Sequence, residues 1–271
     1  TITVSGSELL PSPVLVSSSP ILTQKVLDGA ADNSVQFEVV LAANASPGIH
    51  SLRVKNERGI SNALAVSVDT IPTIPFAEQV ESTPVALQGN LVGGAILSTS
   101  FTGSKDQSVV VEVEGQRLGS SIRPVLRLLD PAGRQIAFSA PTPALRGDAR
   151  VTAVLAEDGE YKVEMHDVLY KGPNPGTYRL KIGSFQFVDL VYPMGVQMGQ
   201  TASLRFLSSS SDGSADAQGT FVGQDGLNLP GEVSLSGSRP LIHTSSNPEY
   251  VETDAAEVQD AGQAPLAING I

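Results

Sequence analysis

Cysteine is absent from the 271-residue chain. That excludes a disulfide framework and thiolate metal sites. Tryptophan is absent too, and aromatic residues make up only 5%, so packed cores have to be built from Val, Leu, Ile and Ala. No apolar run reaches the ~18 residues a membrane-spanning helix needs. No segment is rich in Lys or Arg, and the formal net charge is −11; such a surface repels nucleic-acid phosphate and suits an extracytoplasmic protein. The signatures of catalysis are missing as well. There is no G-x-S-x-G nucleophile elbow, no H-E-x-x-H and no Gly-rich phosphate loop. The three histidines, His50, His166 and His243, fall in three different segments of the pattern.

What is present is short-period alternation punctuated by turns. Hydrophobic residues reach 41%, enough for packed cores, and 26 Gly with 18 Pro supply the turns that many short strands require. The stretch 148–183 organises the reading. Residues 150–156 and 161–166 alternate around a tight turn at Glu157-Asp158-Gly159, and 178–182 follows the Gly-Pro-Asn-Pro-Gly connection at 172–176. Alternation over this length marks half-buried antiparallel strands. Earlier, Val35, Phe37 and Val39 alternate with polar neighbours, as do His50, Leu52 and Val54, then Leu64, Val66 and Val68. Val109, Val111 and Val113 alternate with Val110, Glu112 and Glu114. After Asp130-Pro131-Ala132-Gly133, a type I-like turn, Ile136 and Phe138 resume the pattern. The fold class is therefore all-β: tandem β-sandwiches, with an immunoglobulin-like module, a jelly-roll-like central domain of seven or eight strands, and a second immunoglobulin-like module.

The expected division is 1–70 for the first sandwich, truncated at its start, and 71–87 for an extended proline-containing linker. The central domain takes 88–184 and the second immunoglobulin-like module 185–250, with a mobile Ser/Asp/Gly loop at 208–217 and a strand at 232–236. Residues 251–271 open a further repeat of the central type. That last expectation rests on two matches. Thr83-Pro84-Val85-Ala86-Leu87-Gln88-Gly89 is answered by Ala264-Pro265-Leu266-Ala267-Ile268-Asn269-Gly270, and Pro75 with Val80-Glu81 by Pro248-Glu249-Tyr250-Val251-Glu252. The chain opens at Thr1 inside a strand-like pattern, so a piece of a longer protein is expected.

Two resemblances go with this division. The run ASPGIHSLRVKNERGISNALAVSV, with Pro47, Gly48, Val54, Asn56, Gly59 and Ser61 in the motif positions, resembles the IPT/TIG family of immunoglobulin-like modules. The runs VEVEGQRLGSSIRPVLRLLDPAGRQIA, DGEYKVEMHDVLYKG and YRLKIG resemble the bacterial pre-peptidase C-terminal (PPC) family, over residues 89–183. The resemblance implies a jelly-roll-like accessory domain, not a catalyst. It implies a non-catalytic spacer or binding fragment of a large secreted or cell-surface bacterial multidomain protein. The alternative is a carbohydrate- or matrix-binding accessory module of a secreted hydrolase or peptidase. Partners would be a protein or polysaccharide of the cell surface or matrix, with no nucleic acid and no membrane insertion. The stretch 96–101 keeps the family's aromatic, Phe101, and lacks its two acids, which weakens an inherited calcium site.

No cofactor is implied, calcium excepted. Hard cations want several oxygens from loop carboxylates and carbonyls, and Asp130, Asp148, Asp158 and Asp167 all fall at turns; turn stabilisation by Asp is the competing explanation. For ligand recognition the candidates are Arg117, Asp167, Tyr170 and Arg179, centred on the loop Asp167-Val168-Leu169-Tyr170-Lys171-Gly172. The alternative is an Arg117–Asp167 ion pair that pins this loop. Tyr161 and Tyr178 each follow a turn at a strand start, the arrangement of a tyrosine corner, and are expected to be structural; the alternative for them is sugar stacking.

Overall fold

The computed structural model describes residues 1–43, 45, 47–208, 215–220, 236–237, 242–252, 260 and 262–270. Ordered backbone among them is almost wholly strand. The first module holds β1 (Ile2–Ser5), β2 (Val14–Ser17), β3 (Ile21–Val26), β4 (Ser34–Leu41), β5 (Gly48–Asn56), β6 (Gly59–Ile60) and β7 (Leu64–Val68). One sheet runs β1-β4-β3; the other runs β2-β5-β6, with β7 also pairing β5. Their inner faces enclose Val4, Leu15, Val35, Phe37, Leu52 and Val54. Two of the motif residues earn their places locally. The Asn56 carboxamide oxygen accepts the N–H groups of Arg58 and Gly59, closing the β5–β6 turn. The Ser61 hydroxyl accepts Val54 N–H and donates to Asn62 O.

The central domain comprises β8 (Thr73–Pro75), β9 (Gln79–Val80), β10 (Val85–Asn90), β11 (Leu97–Gly103), β12 (Ser108–Glu114), β13 (Pro124–Leu129), β14 (Gln135–Ser139), β15 (Arg150–Val154), β16 (Gly159–Asp167) and β17 (Thr177–Gly183). The first sheet is β15-β12-β17-β10-β8 and the second β14-β13-β16-β11-β9. From β10 to β17 every connection crosses between the sheets except the β13–β14 hairpin. That topology is a jelly roll. Its core is Val, Leu and Ile with Phe101 and Tyr161 stacked 5.9 Å apart, as a chain without tryptophan has to build it.

The 71–87 segment is not a free linker. β8 pairs in parallel with β10, and β9 in parallel with β11. Val80 and Val85 enter the jelly-roll core. A three-residue and a two-residue strand cover the two sheet edges that β10 and β11 leave open, which removes pairing templates. Proline is tolerated there because an edge strand need donate on one side only.

The remaining elements are β18 (Leu190–Tyr192), β19 (Gly195–Gln197), β20 (Thr201–Leu207), β21 (Ala215–Thr220), β22 (His243–Ser245), β23 (Glu249–Val251) and β24 (Ala267–Asn269). They form β18-β20-β21, β19-β22 and β23-β24, beside a small core of Val188, Val191, Val196, Leu204, Phe206 and Ile242. Of the expected 208–217 loop, 215–217 open β21, and 209–214 lie outside the described residues, as does the 232–236 strand apart from Ser236. The parallel pair β23–β24 repeats β8–β10. Ala86 N–H donates to Pro72 O and Ala267 N–H to Pro248 O; Phe76 N–H donates to Gln88 O and Glu252 N–H to Asn269 O. The counterpart of Pro248 is thus Pro72, not Pro75. Matching Pro75 and Val80-Glu81 to Pro248 and Val251-Glu252 missed the strand register that aligns Thr73 with Ala86 and Glu249 with Ala267.

The two tyrosines differ. Tyr161, buried, donates its hydroxyl to Glu157 O at 2.9 Å, four residues upstream. Tyr178 makes no such bond among the described residues: its ring lies against Gly89 and edge-on to Phe76, and burial pushes its phenol up to about 12. A Tyr161→Phe substitution therefore costs about 1 kcal/mol, whereas Tyr178→Phe is near neutral; urea denaturation of both variants measures the difference.

Candidate functional site

The outward face of the first central sheet should carry polar residues into water. It carries charges instead, and they are buried. Register places Glu112 opposite Lys181 and Arg150, and Glu114 opposite Arg179. Opposite charges facing one another across strands attract. Here they are also taken out of water, because the flanking segments cover the sheet. Asp69, just past β7, reaches Arg179 from one side; Ser236 and the 185–189 segment reach Lys181 and Arg150 from the other.

Each charge is answered. Lys181, with no exposed surface, donates to Glu114 Oε1 at 2.7 Å and to Ser236 O at 2.7 Å, and lies 3.2 Å from Glu112 Oε1. Arg179 bonds both Asp69 oxygens (2.6 and 2.8 Å), Glu114 (3.2 Å) and Thr73 Oγ1. Arg150 pairs with Asp189, lies 3.6 Å from Glu112 and sits over the Phe187 ring. Arg117 donates Nε–H to Asp148 at 2.7 Å and a terminal N–H to Glu112 at 3.1 Å. Burial works against the Arg117 charge, but Glu112 and Asp148 more than reverse it and hold the guanidinium above its usual pKa. For Asp148 burial wins: its carboxyl lies above the ordinary range although Arg117 and backbone N–H groups oppose the shift. An ion left unpaired at such a position is very costly.

The sequence-predicted residues divide accordingly. Arg117 and Arg179 belong to this junction. Asp167 and Tyr170 stand apart from it, Asp167 at the end of β16 and Tyr170 on the loop that follows. The expected Arg117–Asp167 pair does not form: Asp167 accepts Arg123 N–H and Leu169 N–H, and Arg117 is taken by Asp148 and Glu112. Tyr170 is in a left-handed backbone conformation, φ 49°, and 53% exposed. Its ring stacks on His166 at 4.3 Å, with its hydroxyl 3.1 Å from Nε2.

The four aspartates expected at a calcium site do not fit one. Asp148 accepts Gly115 and Gln116 N–H besides Arg117. Asp130 holds the Arg134 N–H and guanidinium; burial opposes its charge, but those donors keep its carboxyl below the usual range. Asp158 accepts Lys105 N–H, and Asp167 is engaged as above. They serve separate turns, and no group of three metal-ligating side chains converges among the described residues. The histidines lie on β5, β16 and β22.

Sequence reasoning passed over Asp69, Arg150, Lys181 and Asp189. For Lys181 a pairing signal was there: Val-Glu-Val-Glu on one strand and Tyr-Arg-Leu-Lys on another place two like charges on each outer face, of opposite sign.

Comparison of the sequence with protein-family models and with curated proteins gives no match. Among solved structures, the chain is similar to Aeromonas hydrophila PliG, a periplasmic lysozyme inhibitor of g-type lysozyme. Identity is 15% over 43% of this chain and 98% of that one, with a TM-score of 0.32. It is similar to the pre-peptidase C-terminal domain of collagenase from Bacillus anthracis at 13% identity, over 43% of this chain and 98% of that one, TM-score 0.31. The secreted serine protease VesC from Vibrio cholerae matches at 9% identity over 66% of this chain and 41% of its own length, TM-score 0.26.

Removing the central cation exposes the cost of the junction. Lys181→Met leaves two buried carboxylates with one partner fewer each and costs about 3 kcal/mol or more; urea unfolding of the variant checks it, and a loss below about 1 kcal/mol contradicts the network's role.

Proposed function

We propose that this chain is a non-catalytic spacer and binding fragment of a large secreted or cell-surface bacterial multidomain protein. Its central domain acts as a PPC-like accessory module beside an IPT/TIG-like one. The observation that carries the reading is the buried junction. One sheet face of the jelly roll is held by Asp69 on one side and by Ser236, Phe187 and Asp189 on the other. Such fastening serves an element that has to hold its neighbours at fixed spacing. The −11 net charge supports an extracytoplasmic setting and disfavours nucleic acid. No helix among the described residues is long and apolar enough to cross a membrane. Partners on this reading are proteins or polysaccharides of the cell surface or matrix.

The second reading, a carbohydrate- or matrix-binding accessory module of a secreted hydrolase or peptidase, draws support from one feature. An open groove of about 470 Å³ lies along β11 and β16, lined by Phe76, Glu78, Ser98, Ser100, Glu160 and Lys162. Hydroxyls, carboxylates and an ammonium beside a ring are groups that hydrogen-bond sugars.

The spacer reading has a direct test, made clean by the absence of native cysteine. Dyes attached at Thr23→Cys and Gln135→Cys report the distance between the first module and the jelly roll by single-molecule energy transfer. The expected distribution is single and narrow, and Arg179→Met broadens it. A broad distribution in the parent chain contradicts the reading.

A further inference from the structure

We infer that the gap between the first module and the jelly roll is a binding site for a small uncharged amphiphile, a molecule with a short apolar body and one hydrogen-bonding group. The inference stands independently of the spacer reading. The sheets of the first sandwich part at the end facing the central domain, leaving a cavity of about 300 Å³. Ile21, Val39, Leu52 and Val66 line it from the two sheets, and Ile71 and Arg179 close it on the jelly-roll side. A cavity of about half that volume holds benzene, so this one takes roughly ten non-hydrogen atoms. Meetings of domains are where such sites concentrate.

Two observations define the chemistry. The first is Ser19. It lines the cavity, is 1% exposed, and its hydroxyl makes no hydrogen bond within the protein. Buried hydroxyls are nearly always paired, and a ligand group that reaches this one completes it. The second is the state of the charges in the wall. Arg179 is committed to Asp69, Glu114, Thr73 and Ile71 O, and Asp69 accepts Ile71 N–H besides both arms of Arg179. Neither of these side chains offers a charged ligand a free counter-ion, and such a ligand has to be desolvated against the aliphatic walls. An uncharged head group with an aliphatic body meets neither obstacle.

The probe is 1-octanol, with octanoate as its charged counterpart, titrated into the full chain under amide NMR. The expected result is saturable shifts at Ser19, Leu52, Val66 and Ile71 with 1-octanol and none with octanoate. Ser19→Ala weakens binding about threefold to tenfold, the value of one neutral hydrogen bond. Val66→Phe fills the space and abolishes it, with Val111 in the jelly-roll core reporting that the fold persists; should that variant misfold, Ser19→Ala decides alone. Absence of saturable shifts, which leaves hydration as the only occupant, overturns the inference. So does octanoate binding as tightly as octanol, or an affinity that Ser19→Ala leaves unchanged.

Discussion

An ammonium group with no exposed surface has to be answered from every side, and Lys181 is: Glu112 and Glu114 from the neighbouring strand, a backbone carbonyl at Ser236 from beyond the sheet. The rest of the junction follows from that arrangement. Two carboxylates side by side on β12 need more than one cation, and Arg117, Arg150 and Arg179 supply the remainder. Asp69, Asp148 and Asp189 then balance the arginines. Well-packed apolar residues at the same place would serve stability as well or better. What charges add is register: each flanking segment fits only where its acid or carbonyl meets its cation.

The strand pattern was legible because period-two alternation has one physical cause, a sheet with one buried face. It led to the jelly roll, to the turn at Asp130, and to the first sandwich. It failed where burial comes from outside the sheet. Glu112, Glu114, Arg179 and Lys181 alternate as solvent-facing residues should, and nothing local to β12 or β17 says that other segments will cover them. The 71–87 stretch misled for a related reason: proline density signals extended backbone, and edge strands are extended too. Arg117 and Asp148 were both singled out, but for separate roles; their pairing joins residues far apart in the chain through the β12–β15 ladder.

The echo of β8–β10 in β23–β24 shows what a sequence match can miss. Its hydrogen bonds are the same, yet the spacing between the two strands differs, so aligning prolines shifted the register by three residues. The equivalent side chains also meet different surroundings: Leu87 is fully buried in the jelly-roll core, whereas Ile268, in the same place on β24, is largely exposed. The paired backbone device is local, while burial depends on the sheet that the device joins.

A double-mutant cycle across the boundary tests the account most directly, with Asp69→Asn, Arg179→Met and the pair together, each read by urea unfolding. A junction that fastens the first module to the jelly roll gives a coupling energy of about 1–3 kcal/mol between these buried partners. Additive losses, with a coupling no larger than about 0.3 kcal/mol, would mean that the charges meet without holding the modules together.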